Sequence, residues 1–346
     1  MDIKDYISGY AQKADVYLKR LFESKKKEAA EIDPVAVRSL DILANYIAGG
    51  KRVRGALAVL GYELAGGKDF QKILPVSAAV EILHSSLLIH DDFIDRDELR
   101  RGKPTVHRIY AKGRGEHFGA AMAIVVADVG LFLSHQILAE SAFKSRKVAQ
   151  ALSEFDRLLV NTGFGELLDI AFDYKRKLTW EDVQKVRLYK TAHYTFVMPM
   201  VVGAILGGAS RKQLKAISRY GEPVGIAFQI RDDILGVFSD PNVTGKSNES
   251  DIREGKKTFL YLKTMELAGK RDKIYLKKWY GSKSLTKRNL REIRDIIEKS
   301  RAFELSQSLA ADLVKQGKLE IKKITQKRRY QKILGEFADY MILRDK

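Results

Sequence analysis

HDDFIDRDELRRGK, from His90 to Lys103, decides how the rest of the chain is read. Together with the apolar run before it, it sets His84, Leu87, Asp91 and Asp95 at intervals of three, four and four, so on an α-helix they share one stripe. The stripe is apolar below and acidic at its end. Neighbouring carboxylates repel one another unless a cation neutralises them. Asp91 and Asp95, with Asp92 in support, therefore suit Mg²⁺, a hard cation that takes a few carboxylates and keeps several waters. Taken alone, the stretch fits equally well an exposed acidic helix end paired with Arg96, Arg100 and Arg101.

A second stretch of the same kind shifts that balance. QIRDDILGVFSD, from Gln229 to Asp240, again sets adjacent aspartates, Asp232 and Asp233, among helix-forming apolar residues with an arginine close by. Two such clusters with cations in attendance point to a metal-bridged polyanion, and the simplest is a diphosphate. Further cations fit that reading. GGKRVRG, from Gly49 to Gly55, places Lys51 and Arg54 at the start of a predicted helix, where the backbone itself attracts anions. Gly245-Lys246 can wrap a phosphate, since glycine admits close backbone approach and lysine adds a point charge. Singly, each of these, like Lys190-Thr191, is also an ordinary solvated turn or helix start.

Around these motifs the chain reads as helix almost throughout. Apolar residues recur at helical spacing, as in Leu40, Leu43, Ala44 and Ile47, or Val80, Leu83, Leu87 and Leu88. Breaks fall at Gly49-Gly50, Gly66-Gly67, Gly102 to Pro104, Gly207-Gly208 and Asp240-Pro241. Sustained two-residue alternation is hard to find. The expectation is an all-α bundle forming one domain over 1–346, with a site in a central cavity between facing helices. The chain has no cysteine, which excludes disulfides and thiolate metal sites and fits a reducing cytoplasmic setting. Its formal charge of +18 is heaviest toward the C-terminus. Acidic residues are interspersed and no aromatic-stacking motif accompanies the cations. A solvated basic exterior is therefore favoured over nucleic-acid binding, with loose attraction to a membrane surface as a secondary effect. The N-terminal stretch lacks the apolar core of a signal peptide. Gly119–Leu138 is the most apolar segment, yet it contains Asp128, so a fully buried helix is expected there and not a membrane span.

The ordered set of motifs resembles the trans-isoprenyl diphosphate synthases, in particular archaeal short-chain geranylgeranyl diphosphate synthases. It comprises GGKRVR (49–54), His84, DDFID (91–95), Arg100-Arg101-Gly102, Gly165-Glu166-Leu-Leu-Asp169, Lys190-Thr191, QIRDD (229–233), Gly245-Lys246 and DIREGK (251–256). The resemblance implies an isoprenoid-synthase-type helical fold, a homodimer and Mg²⁺-dependent chain elongation. It implies that Asp91, Asp95, Asp232 and Asp233 bind Mg²⁺. Arg100, Lys190, Thr191, Gln229, Lys246 and Lys256 would hold an allylic diphosphate (dimethylallyl, geranyl or farnesyl). Lys51, Arg54, His84 and Arg101 would hold isopentenyl diphosphate. Asp91, Asp95, Asp232, Lys190 and Arg100 are the catalytic set. Three places depart from the common pattern: Gly236 stands where many members have a third aspartate, Ala127 before Asp128 where many have glycine, and Glu166 where many have glutamine.

In such enzymes a bulky residue four or five places before the first aspartate acts as a floor for the growing prenyl tail. Here those places are Leu87 and Ser86, neither aromatic, so a product of fifteen carbons as the sole end point is not expected. Geranylgeranyl diphosphate is the expected product. Geranylfarnesyl or hexaprenyl diphosphate, or a farnesyl/geranylgeranyl mixture, is the alternative, and Ser86→Phe is expected to shorten the product. Three rivals are weaker. A terpene cyclase or head-to-head synthase would not need Lys51, Arg54 and Arg101. An inactive regulatory subunit should have lost a cluster. A nucleic-acid binder would not pair aspartates within its site.

Overall fold

The computed structural model describes residues 2–175, 177–238, 250–282 and 284–343. Helices α1 (Ile3–Ala30), α2 (Pro34–Ile47), α3 (Val53–Leu64), α4 (Phe70–Ile94), α5 (Val106–Ala111), α6 (Glu116–Ala139), α7 (Ser145–Asp173) and α8 (Trp180–Val186) come first. A π-helical segment, Arg187–Val197, leads into α9 (Met198–Gly207) and α10 (Arg211–Phe238). Shorter helices between Ser250 and Leu343 complete the chain. Among the described residues the only strands are Leu99–Arg100 and Lys103–Pro104, paired antiparallel. The all-helical expectation therefore holds.

The chain divides into two compact units, one of residues 1–155 with 199–214, the other of residues 156–198 with 215–346. In the first unit, α2 shows how sequence sets an element. Asp33 caps it by accepting from the Val35 N–H at 2.8 Å, and Pro34 occupies the first turn, where no donor is needed. Its stripe Leu40, Leu43 and Ile47 is buried in a core with Leu18, Phe22, Ile82, Ile89 and Tyr110. Helices α3 and α9 touch backbone to backbone. A Cβ on Gly61 would lie 2.1 Å from the Met200 carbonyl oxygen, and one on Gly203 would lie 1.9 Å from that of Ala58. Glycine inside these helices, normally a loss of about 1 kcal/mol, is what permits the approach.

Helices α4 and α6 are both long and apolar enough to cross a membrane by length and composition. Helix α4 is a core helix, buried on nearly all sides from Ile73 to Ile89. Helix α6 departs from the sequence expectation of full burial. Ile124, Val125, Val129 and Phe132 line one exposed face, with Phe132 68% exposed. Apolar composition all round a helix does not say whether its last face meets the chain's own core.

In the second unit, Val237, Ile252, Leu260, Leu276, Leu290, Ile293 and Ile297 form one core cluster. Phe196 packs edge-on against Phe228 and Phe337. Along its part of α7, Val160, Phe164 and Leu167 are exposed at helical spacing.

Candidate active site

Helix α4 stops directly after its acidic motif. Asp95 is the C-cap, and Arg96 follows in the left-handed region at φ 58°. The Asp97 N–H bonds the Asp92 carbonyl and the Arg96 N–H bonds that of Phe93, the pairing of a Schellman stop. Glycine usually takes the place Arg96 holds. Asp91, Asp92 and Asp95 thus gather at the negative end of the helix dipole, which favours cations.

The two adjacent aspartates part ways there. Asp92 is fully buried. It accepts from Tyr46 Oη and from Arg100 Nε, each at 2.6 Å, and Arg100 Nη2 also pairs with it. Burial pushes the Asp92 carboxyl up, and the Arg100 charge works against that. Burial also raises the Tyr46 phenol well above its usual value, with Asp92 adding to the effect, so Tyr46 stays a donor. Arg100 reaches Asp97 at 3.0 Å and Asp91 at 3.6 Å. Asp91 and Asp95 remain only half-buried.

The hairpin Leu99–Pro104 presents the paired arginines. Its turn residues Arg101 and Gly102 both take positive φ, 53° and 74°, as a two-residue turn of right-handed strand twist requires. Arg101 Nη1 donates to the Ala48 carbonyl at 3.1 Å, which brings it to the GGKRVRG loop. In that loop Lys51 is exposed and Arg54 half-buried, with Arg54 Nη1 lying 3.0 Å from His84 Nε2. Burial, reinforced by Arg54 and Arg101, pushes the His84 imidazole well below its usual range. His84 is therefore neutral near pH 7 and accepts from Arg54. The sequence group Arg54, His84 and Arg101 is brought together in this unit, with Lys51 on the same loop.

In the second unit the neighbours of the paired aspartates repeat the pattern. Asp233 is buried, with Oδ1 accepting from Gln229 Nε2 at 3.0 Å and Oδ2 from Arg187. Asp232 is half-buried. Thr191 donates to Gln229 Oε1 at 3.1 Å, so Thr191, Gln229 and Asp233 form one chain of bonds. Lys190 lies on the π-helical segment, a feature common at functional sites. Its ammonium pairs with Asp169 at 2.7 Å and Glu166 at 3.0 Å. The glycine of Gly165–Asp169 has a clear reason: a Cβ there would stand 2.2 Å from the Lys190 backbone nitrogen. Lys256 pairs with Glu254 at 3.0 Å, and Lys246 lies outside the described residues.

The departure at Gly236 also has a spatial account. A Cβ at that position would lie 2.2 Å from Asp251 Oδ2. The carboxylate of Asp251 fills the space a side chain at 236 would need.

Among the described residues no three carboxylate or imidazole side chains stand close enough to enclose a metal ion by themselves. Hard oxygen donors in incomplete sets suit Mg²⁺ that takes its other oxygens from water and a substrate phosphate, and do not suit an all-protein cage. Sequence reasoning missed Tyr46 and Arg187 as partners of the buried aspartates. Neither carries a local signal, since each meets its aspartate across 46 residues. Ser86 is fully buried, and a Cβ on Gly130 would come within 2.3 Å of its Oγ, so Ser86 packs against α6. Leu87 is half-buried.

Residues 38–297 match the family model described as polyprenyl synthetase. The chain is 32% identical over its whole length to a short chain isoprenyl diphosphate synthase of Methanothermobacter thermautotrophicus, covering 99% of that protein. It is 35% identical over 73% of its length to a geranylgeranyl diphosphate synthase of Sulfolobus acidocaldarius, 74% of which is covered. Other relatives of similar identity bear the names of geranylfarnesyl and farnesyl diphosphate synthases. Its structure matches a crystal structure of geranylgeranyl pyrophosphate synthase from Corynebacterium glutamicum, complexed with isoprenyl diphosphate and magnesium. The TM-score is 0.91 at 27% identity, over 99% of this chain and 100% of that one. The chain belongs to the polyprenyl synthetase family and is a trans-prenyltransferase of the short-chain prenyl diphosphate synthase type.

Proposed function

We propose that the protein condenses isopentenyl diphosphate with an allylic diphosphate in an Mg²⁺-dependent reaction, and that its main product is geranylgeranyl diphosphate. One observation supports this above the others. In each acidic pair one aspartate is buried against an arginine while its neighbour is more exposed. Asp91, Asp95 and Asp232 would hold Mg²⁺; Asp92 fixes Arg100, and Asp233, a metal ligand in the sequence reading, is assigned instead to tying Gln229 to Arg187. Bound there, Mg²⁺ would neutralise the allylic diphosphate and make it a better leaving group. Arg100, Lys190, Thr191, Gln229 and Lys256 add donors for that group as it departs, with Lys246 proposed alongside them. Lys51, Arg54 and Arg101 hold the isopentenyl diphosphate, with His84 orienting Arg54. The double bond of the second substrate attacks the allylic carbon, a proton is lost to the released diphosphate, and apolar walls exclude water that would trap the cation.

Ser86 and Leu87 leave no aromatic floor below the first cluster, which supports a main product longer than fifteen carbons. The exposed apolar faces of α6 and of α7 support a homodimer, each face being covered by a second copy. Incubation with radiolabelled isopentenyl diphosphate and dimethylallyl, geranyl or farnesyl diphosphate, followed by product chromatography, tests the reading. A twenty-carbon product is expected. A twenty-five-carbon product would move the assignment to geranylfarnesyl diphosphate, and no incorporation from any starter would end it.

A further inference from the structure

Helix α3 begins in an unusual way. Its N-cap residue, Arg52, has φ 58° and makes no side-chain capping bond. A helix start leaves backbone donors that need acceptors, and arginine supplies none. The third helical residue, Gly55, cannot help, because a Cβ there would lie 2.0 Å from Tyr10 Oη and 2.8 Å from the Ser77 carbonyl oxygen. The acceptor comes from another helix. Glu81 of α4, only 3% exposed, takes the Gly55 N–H at 2.6 Å. The same carboxylate lies 3.9 Å from Arg52 Nη1. Arg52 is itself 4% exposed and is held from two further sides, by Asp15 of α1 at 2.7 Å and by the Ile47 carbonyl of α2 at 2.8 Å.

We infer that Glu81 and Arg52 are positioning residues: together they rivet the GGKRVRG loop so that Lys51 and Arg54 meet the isopentenyl diphosphate. The inference rests on the proposed role of that loop. Lys51 and Arg54 flank Arg52 on either side, separated from it by no more than one residue. A left-handed arginine is strained, and it persists here because three helices fix its guanidinium. A buried carboxylate that satisfies both a helix start and a buried arginine sets where the first turn of α3 begins, and hence where the two neighbouring cations point.

Steady-state kinetics on the full-length enzyme test this. Glu81→Ala removes both charge and acceptor, whereas Glu81→Gln keeps an acceptor oxygen. Glu81→Ala is expected to raise KM for isopentenyl diphosphate about ten-fold or more, with kcat within about three-fold and the allylic KM unchanged; Glu81→Gln should recover most of that loss. Arg52→Gly relaxes the backbone strain and removes the rivet, so in the folded variant it should show the same selective KM rise. It also keeps the test open if Glu81→Ala does not fold. An unchanged isopentenyl diphosphate KM in Arg52→Gly and in a folded Glu81→Ala, or equal rises in both substrate KM values, overturns the inference. Lys51→Ala separates the two levels. If it leaves that KM unchanged, the loop's assignment fails; if it raises it while the Glu81 and Arg52 variants do not, only the positioning role fails.

Discussion

The two acidic clusters look alike in sequence and are built differently. In both, adjacent aspartates divide the work. Asp92 turns inward to Arg100 and Tyr46, and Asp233 to Arg187 and Gln229, while Asp91 and Asp232 stay more open. The difference lies one helical turn further on. The first cluster adds Asp95 from its own helix, at the C-cap of α4. The second has Gly236 at the equivalent step, and the carboxylate of Asp251 from a separate short helix occupies the space. One cluster is written by helical periodicity; in the other a carboxylate from a separate helix stands against the bare backbone of Gly236. A motif read along one helix misses that neighbour.

The largest effect should come from removing the more exposed aspartate of each pair. Asp91→Ala or Asp232→Ala should lower turnover at least about a thousand-fold, by loss of charge stabilisation at the leaving group. Circular dichroism should show the helical fold intact, because removing one carboxylate relieves repulsion. Activity within ten-fold of the parent for either would deny that the open members carry the chemistry. Breaking a buried pair should instead act on stability. Arg187→Ala leaves Asp233 buried and uncompensated, a loss of about 3–5 kcal/mol in denaturant unfolding; a loss under 1 kcal/mol would show that Asp233 has another cation.

The space shared by Gly236 and Asp251 can be exchanged between them. Gly236→Asp should collide with Asp251 and cut activity about ten- to a hundred-fold, a cost of roughly 1.4–2.8 kcal/mol in barrier. The double variant with Asp251→Gly should recover most of it, since the carboxylate then comes from α10. Two additive losses would show that the positions do not share one space. The smallest effect concerns Tyr46→Phe. It removes one hydrogen bond to Asp92 while Arg100 remains, so unfolding free energy should fall by about 1 kcal/mol, with turnover reduced by a few-fold as Arg100 loosens.

Much of this was legible in the chain. Helices were readable because periodic burial is a local property, and the paired glycines at 49–50, 66–67 and 207–208 do fall at helix ends. The two acidic motifs were readable as adjacent aspartates within helical patterns. Which member of each pair turns inward was not, because adjacent residues on a helix differ only by rotation and the deciding partners are distant in sequence. The exposed face of α6 was unreadable for a different reason. Val125 and Phe132 have the composition of a core, and sequence does not say whether a core belongs to one chain or two. Ser86 was expected to border the prenyl tail, yet it packs on Gly130, so a ring there must first displace α6.

Among the described residues, every non-glycine residue with positive φ is an arginine: Arg52, Arg96, Arg101 and Arg301. The first three crowd the loops that carry the first unit's cations and carboxylates. Glycine would relax the exposed backbone at Arg96 and Arg101, whereas at Arg52 the buried ion pairs outweigh the strain. The enzyme instead keeps a long charged side chain on reluctant backbone at Arg101, so a search for heat-resistant variants should reach Arg101→Gly early and find a catalyst that lasts longer and works less.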